Sequence, residues 1–346
     1  MTPLLEARGL VKTFKVGRNG LRSRRFTAVD DVDLTVDAGE TVGLVGESGS
    51  GKSTTGLMIA RLLPADAGSV MLGGRDFLAM SKAELSEARR QVQVIFQDPF
   101  LSLNPKMRIA DVVGEPLRVQ GQLSRQQRVL KVGEALDQVG LGDRRYLDRL
   151  PRDFSGGQRQ RVAIARALVL EPRLIVADEV VSALDVSSQA GIVNLLQDLQ
   201  SSRDLAVLFV SHDLSVVRHI SDRVAVMYRG RIVESGRRDD IYGSPRHPYT
   251  QQLLDSVLRV STERRVRELP QAGAGAAPQT PLGAGCMYAS RCPVATPICA
   301  VTAPVLETVA DGHEVACHRY PGEDARSLVG SADAAVAVND EHEKEL

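Results

Sequence analysis

Eight consecutive residues, Gly46-Glu47-Ser48-Gly49-Ser50-Gly51-Lys52-Ser53, constrain this chain more than any other feature. They fit GxxxxGK[ST] in full, follow the apolar run Thr41 to Val45 and precede a helical pattern from Thr54 to Leu63. Glycines in such a turn let successive backbone N–H groups point into one concave space, and the helix end adds a positive potential, so the pairing suits phosphate oxygens. Gly46, Ser48, Gly49, Gly51 and Thr54 are thus candidates to cradle a nucleotide's phosphates, with Lys52 reaching the β- and γ-phosphates and Ser53 ligating Mg²⁺. The competing reading, a glycine-rich turn with an incidental lysine, does not explain strand, motif and helix in register.

The surrounding pattern predicts an α/β domain. Thr41–Val45, Val92–Phe96, Leu174–Ala177 and Leu205–Val210 are short, bounded and mostly rich in β-branched residues, as buried parallel strands are. Their carboxyl ends are where open α/β sheets place ligands. At one such end stand Asp178 and Glu179, the first suited to Mg²⁺ and the second to an attacking water. Paired acids alone are more often a solvated turn; beside a phosphate loop they read as catalytic. Val32–Val36 alternates like a half-exposed strand and Arg229–Glu234 reads as a late hairpin. From about 98 to 168 the pattern turns to amphipathic helix, with Ser124–Val139 the longest candidate.

Phe154-Ser155-Gly156-Gly157-Gln158-Arg159-Gln160-Arg161 resembles the signature motif of ABC-transporter ATPases. In the order the family requires, Gln97 resembles its Q-loop, Ser182-Ala183-Leu184-Asp185 its D-loop and Ser211-His212-Asp213 its switch-histidine region. Gln97-Asp98-Pro99, Ser102-Leu103-Asn104-Pro105 and His247-Pro248-Tyr249-Thr250 narrow the resemblance to ATPase subunits of dipeptide and oligopeptide importers, most like the second of the paired subunits. It covers about Leu5 to Tyr320. The resemblance implies a P-loop ABC-type nucleotide-binding domain over 1–258, with a RecA-like core, an antiparallel β subdomain and a helical subdomain. It implies ATP hydrolysis with Glu179, His212, Lys52 and Gln97 catalytic, and Ser53, Gln97 and Asp178 around Mg²⁺. Ser155, Gly157 and Gln158 would face the nucleotide of an opposite cassette, Asp185 the dimer interface, and Phe14 the adenine, although Phe14 reads equally as a core ring. Implied partners are a second ABC ATPase subunit in a heterodimer, two transmembrane permease subunits and an extracytoplasmic solute-binding protein. Val180 departs from the family, which usually has proline there; the exchange removes a fixed φ and is expected to loosen the turn carrying Glu179.

Composition bears on partners. Forty-three basic residues balance 43 acidic ones, which argues against nucleic-acid binding and against the alternative of a soluble ABC-type ATPase working on nucleic acid or ribosomes. No apolar run approaches the roughly 18–20 residues that cross a bilayer, so the expected place is the cytoplasmic face of the membrane, held through the permease. The basic stretch Arg18–Arg25 reads as a solvated loop or a contact with anionic headgroups. Peptides are the expected cargo, with nickel or glutathione as alternatives.

Residues 259–285 read as a Pro/Gly/Ala-rich linker and 321–346 as an acidic disordered tail. Between them, over 286–320, lie all four cysteines, Cys286, Cys292, Cys299 and Cys317, spaced C-x₅-C-x₆-C-x₁₇-C. Structural zinc favours C-x₂₋₄-C pairs, which are missing. The family resemblance implies a [4Fe–4S] cluster on the four thiolates; zinc aided by His313 or His318, and unligated thiols or a disulfide, are the alternatives.

Overall fold

Nine strands of the computed structural model fall within residues 1–231: β1 (Leu5–Val16), β2 (Arg24–Val36), β3 (Thr41–Val45), β4 (Ala67–Leu72), β5 (Arg75–Asp76), β6 (Val92–Ile95), β7 (Leu174–Asp178), β8 (Ala206–Ser211) and β9 (Arg223–Tyr228). The structure describes residues 3–16, 24–258, 285–310 and 312–320. Residues 259–284 of the expected linker 259–285, the tail 321–346 and residues 18–23 of the basic stretch lie outside the described residues. The chain divides into two compact units, 1–231 and 232–346.

In the first unit β9, β3, β8, β7 and β6 lie side by side in that order, all parallel. β3 and β8 are buried throughout, as the absence of polar alternation requires when both faces are covered. A separate antiparallel sheet, β2-β1-β4-β5, includes the alternating Val32–Val36 as the end of β2. The helical region holds Pro99–Ser102, Ile109–Gln120, Arg125–Gln138 and Gly156–Leu168. Ser124 N-caps the third with a full capping box to Gln127, which fixes the predicted start of that helix. Helix Lys52–Ile59 begins two residues before the expected Thr54 and ends before Leu63. Arg229 and Gly230, both at positive φ (45° and 92°), form a two-residue turn between the strands Arg223–Tyr228 and Arg231–Arg237, so the run Arg229–Glu234, read as a hairpin in itself, is the turn and part of the second strand.

The second unit contains β10 (Arg231–Arg237), β11 (Glu307–Ala310) and β12 (His313–Val315), with helices Arg238–Gly243, Pro248–Leu258 and Pro297–Val301. β12 pairs antiparallel with both β10 and β11. That pairing explains why the division falls at 231/232 and not at the compositional linker: residues 232–258 fold with the cysteine segment. Among the described residues no helix is long and apolar enough to cross a membrane.

Candidate functional site

The buried strand β3 runs directly into Gly46 (φ 154°). A Cβ at Gly46 would stand 2.1 Å from the Met227 carbonyl oxygen, and one at Gly51 (φ 106°) 2.3 Å from that of Ala28. Both neighbours are backbone, so only glycine fits. Gly49 (φ 78°) faces open space, and it and Ser48 form an exposed tip. Gly51 caps helix Lys52–Ile59 without a side-chain acceptor, so the first-turn donors, Thr54 among them, have no such partner from the cap.

Lys52 is 4% exposed; its Nζ donates to the carbonyls of Gly46 (2.8 Å) and Glu47 (2.9 Å). Burial lowers its pKa, opposed by the negative charges of Glu179, Asp178 and Glu47. Ser53 Oγ donates to Asp178 Oδ1 at 2.8 Å, joining the loop to the end of β7. Burial raises the Asp178 pKa, and the Ser53 hydrogen bond works against that rise. A hydroxyl and a half-buried carboxylate at hydrogen-bond distance are ligands of the type Mg²⁺ takes, hard oxygens that leave room for water and phosphate.

Glu179 has a left-handed backbone (φ 49°), secured by its N–H to Val210 O at 2.9 Å. Its carboxylate accepts from Gln97 Nε2 on Oε2 (2.9 Å) and meets His212 Nδ1 on Oε1 (3.1 Å). Residues 97, 179 and 212, far apart in sequence, thus share one carboxylate. Ser182 was expected only as part of the D-loop; its Oγ donates to Glu179 O at 2.9 Å and so steadies the strained residue. The side chains of Val180 and Val181 are 1% and 2% exposed. Burial of these two residues, together with the Ser182 hydrogen bond, helps hold the turn at Glu179.

Ser155 N-caps helix Gly156–Leu168 in a capping box with Gln158. Ser155 and Gly156 are exposed, while a Cβ at Gly157 would come within 2.9 Å of Ser188 Oγ. The signature thus packs on the start of helix Val186–Arg203, which Asp185 caps through Ser188 N (2.9 Å), with hydrogen bonds from Ser187 and Ser188 holding its carboxyl well below the usual range. Phe14 is only partly buried and lies opposite the half-exposed Phe26 across β1 and β2, with Lys12 Nζ 5.8 Å from its ring centroid. That excludes a core ring and adds Phe26, whose sole sequence signal was its place in the same amino-terminal region.

In the second unit Cys286, Cys292, Cys299 and Cys317 all line one cavity, together with His247 and His318. Burial raises the thiol pKa of Cys286, Cys292 and Cys317, and the neighbouring cysteines add to it. Among the described residues no group of three or more His, Cys, Asp and Glu could hold a metal ion as placed. Of the two histidines in the zinc alternative, His313 is not among the residues lining this cavity and its Nε2 is bonded to the fully buried Glu234 (2.8 Å), whereas His318 does line it, with Nε2 donating to Thr302 O (2.9 Å).

The chain matches the ABC transporter family over residues 29–182 and the oligopeptide/dipeptide transporter C-terminal region over residues 233–299. It is 46% identical over 318 residues to a putative peptide import ATP-binding protein of Brucella ovis, covering 92% of this chain and 98% of that protein. To the oligopeptide transport ATP-binding protein AppF of Bacillus subtilis it is 46% identical over 329 residues, 92% of this chain and 97% of AppF. Among solved structures, the dimeric ATP-binding cassette MJ0796 in a post-hydrolysis state with ADP and Pi aligns with a TM-score of 0.60 at 31% identity, covering 68% of this chain and 98% of that one. Similarity at this level along nearly the whole length leaves no place for a separate lineage: the chain belongs to the ABC transporter family, among its peptide-import ATPase subunits.

Proposed function

We propose that the chain hydrolyses ATP at the Gly46–Ser53 loop and so drives peptide import through a membrane permease. The observation that carries the reading is the Glu179 carboxylate, within hydrogen-bond distance of both Gln97 and His212 at the end of β7. Lys52 exchanges its loop carbonyls for the β- and γ-phosphates, and Gly46, Ser48, Gly49, Gly51 and Thr54 surround them. Mg²⁺, when bound to Ser53, Asp178 and Gln97, neutralises phosphate charge. Glu179 orients the attacking water, and His212 contacts the γ-phosphate; positioning and electrostatics do most of the work in phosphoryl transfer. Phe14 stacks on adenine.

Ser155, Gly157 and Gln158 lie at an exposed helix start, suited to the nucleotide of an opposite cassette, with Asp185 at the shared border. The partner cassette is a second ATPase subunit, and the pair works from the cytoplasmic side on two permease subunits fed by a solute-binding protein. In the assembled importer, Glu179→Gln is expected to lower ATP turnover at least ~100-fold, within the range for loss of a positioned base. ATP-dependent pairing with the companion subunit should persist. Unchanged turnover refutes the assignment.

We also infer that Cys286, Cys292, Cys299 and Cys317 bind a [4Fe–4S] cluster. What supports it is one cavity lined by four thiols, the donor set of such a cluster, which holds its thiolates farther apart than a single ion does. The cluster would supply cross-links to a segment too small to build a large core. Protein purified without oxygen should be brown and contain iron; colourless, iron-free protein refutes it.

A further inference from the structure

The His247-Pro248-Tyr249 motif marks kinship in the sequence but has no part in nucleotide chemistry. Its surroundings are specific. Glu234, with no exposed surface, accepts from the backbone N–H groups of Arg246 (2.6 Å) and His247 (3.0 Å) as well as meeting His313, and thereby pins the loop that enters helix Pro248–Leu258. His247 is 1% exposed, and its Nδ1 accepts the backbone N–H of Tyr249 at 3.0 Å. An imidazole that accepts at Nδ1 carries its single proton on Nε2. The same residue lines the cavity of the four cysteines. The other histidine there, His318, spends its Nε2 proton on Thr302 O, and the Tyr288 hydroxyl is engaged with Gln252 Oε1.

We propose that His247 donates its Nε2–H to a sulfur of the cysteine cavity and is the positioning residue that tunes the reduction potential of the cluster held there. This rests on the iron–sulfur reading above. Reduction adds one electron's charge to the cluster, and a hydrogen bond to sulfur stabilises that charge, so the donor raises the potential. The backbone around the motif serves this end: Glu234 fixes the loop and Tyr249 fixes the tautomer, which leaves the Nε2 proton to a ring that lines the same cavity as the four cysteines.

The test uses the full chain purified without oxygen, titrated with dithionite and followed by electron paramagnetic resonance. In His247→Phe the reduction equilibrium is expected to shift about tenfold toward the oxidised cluster, ~59 mV for one electron. His247→Gln, which keeps an N–H donor, should recover part of the shift. An unchanged potential in His247→Phe overturns the inference while leaving the cluster standing, and wild-type protein without iron overturns both. If His247→Phe fails to retain the cluster, the wild type with ¹⁵N-histidine decides. A coupling from an exchangeable histidine N–H proton to the reduced cluster supports the assignment, and its absence overturns it.

Discussion

Replacing Gly51 by alanine separates two demands that the phosphate loop makes on its glycines. At φ 106° an L-residue is strained, by about 1–3 kcal/mol. The new Cβ would also stand 2.3 Å from Ala28 O and 2.8 Å from Met227 Cε. Ala28 cannot easily retreat: β2 is paired along β1, Asp30 N donates to Gly230 O at 2.9 Å, and Gly230 N returns to Ser50 O at 2.8 Å. Overpacking of this kind adds about 1–3 kcal/mol, for a total of about 2–6 kcal/mol. Relieving it means displacing the loop. If the whole amount appears in binding, nucleotide affinity falls from about 30-fold to more than 10⁴-fold, at about 1.4 kcal/mol per factor of ten. Gly49→Ala is the control, because its Cβ meets open space and only the backbone strain remains. Calorimetric titration with Mg²⁺ and a non-hydrolysable ATP analogue reads binding, and urea unfolding of the free protein reads whatever part appears as stability. Gly51→Ala should be clearly worse than Gly49→Ala in the sum of the two. Equal losses, or wild-type behaviour of Gly51→Ala, refute the steric reasoning.

Two further outcomes test other parts of the molecule. Glu234→Ala leaves a buried histidine and two backbone N–H groups without their acceptor, and is expected to destabilise the second unit by about 3 kcal/mol, seen as earlier loss of hydrogen-exchange protection at 232–258 than in the first unit. Phe14→Ala should raise the dissociation constant for ATP about tenfold, in line with aromatic stacking on a base, with little change in the maximal rate; if Phe26→Ala produces that loss and Phe14→Ala does not, the stacking role moves to Phe26.

The phosphate loop, the acids at the end of β7 and the signature were legible in the sequence because each is a short local pattern whose spacing is set by backbone chemistry. The same holds for the helix begun at Ser124, where capping is written in adjacent residues. The buried strands were legible from continuous apolar runs, although the order β9-β3-β8-β7-β6 was not, since strand order depends on pairing between segments distant in sequence. The shared carboxylate of Glu179 escaped for the same reason, while the support from Ser182, only three residues away, depends on the turn conformation at Glu179 and the burial of Val180 on what packs over it. Linker composition suggested a boundary near 258, whereas β12 pairs back onto β10 and draws 232–258 into the second unit.

By itself the sequence determined which chemistry the chain can perform: it encodes a triphosphate cradle, a carboxylate at a strand end and four thiols, because those are properties of residue types at fixed spacing. Only the tertiary structure decided which groups act on one another. It set Gln97 and His212 on the two oxygens of Glu179, turned His313 away from the cysteines toward Glu234, and placed His247 on the cavity that the cysteines line. Hydrogen bonds and burial act through space over a few ångströms, and no local pattern in the chain carries that distance.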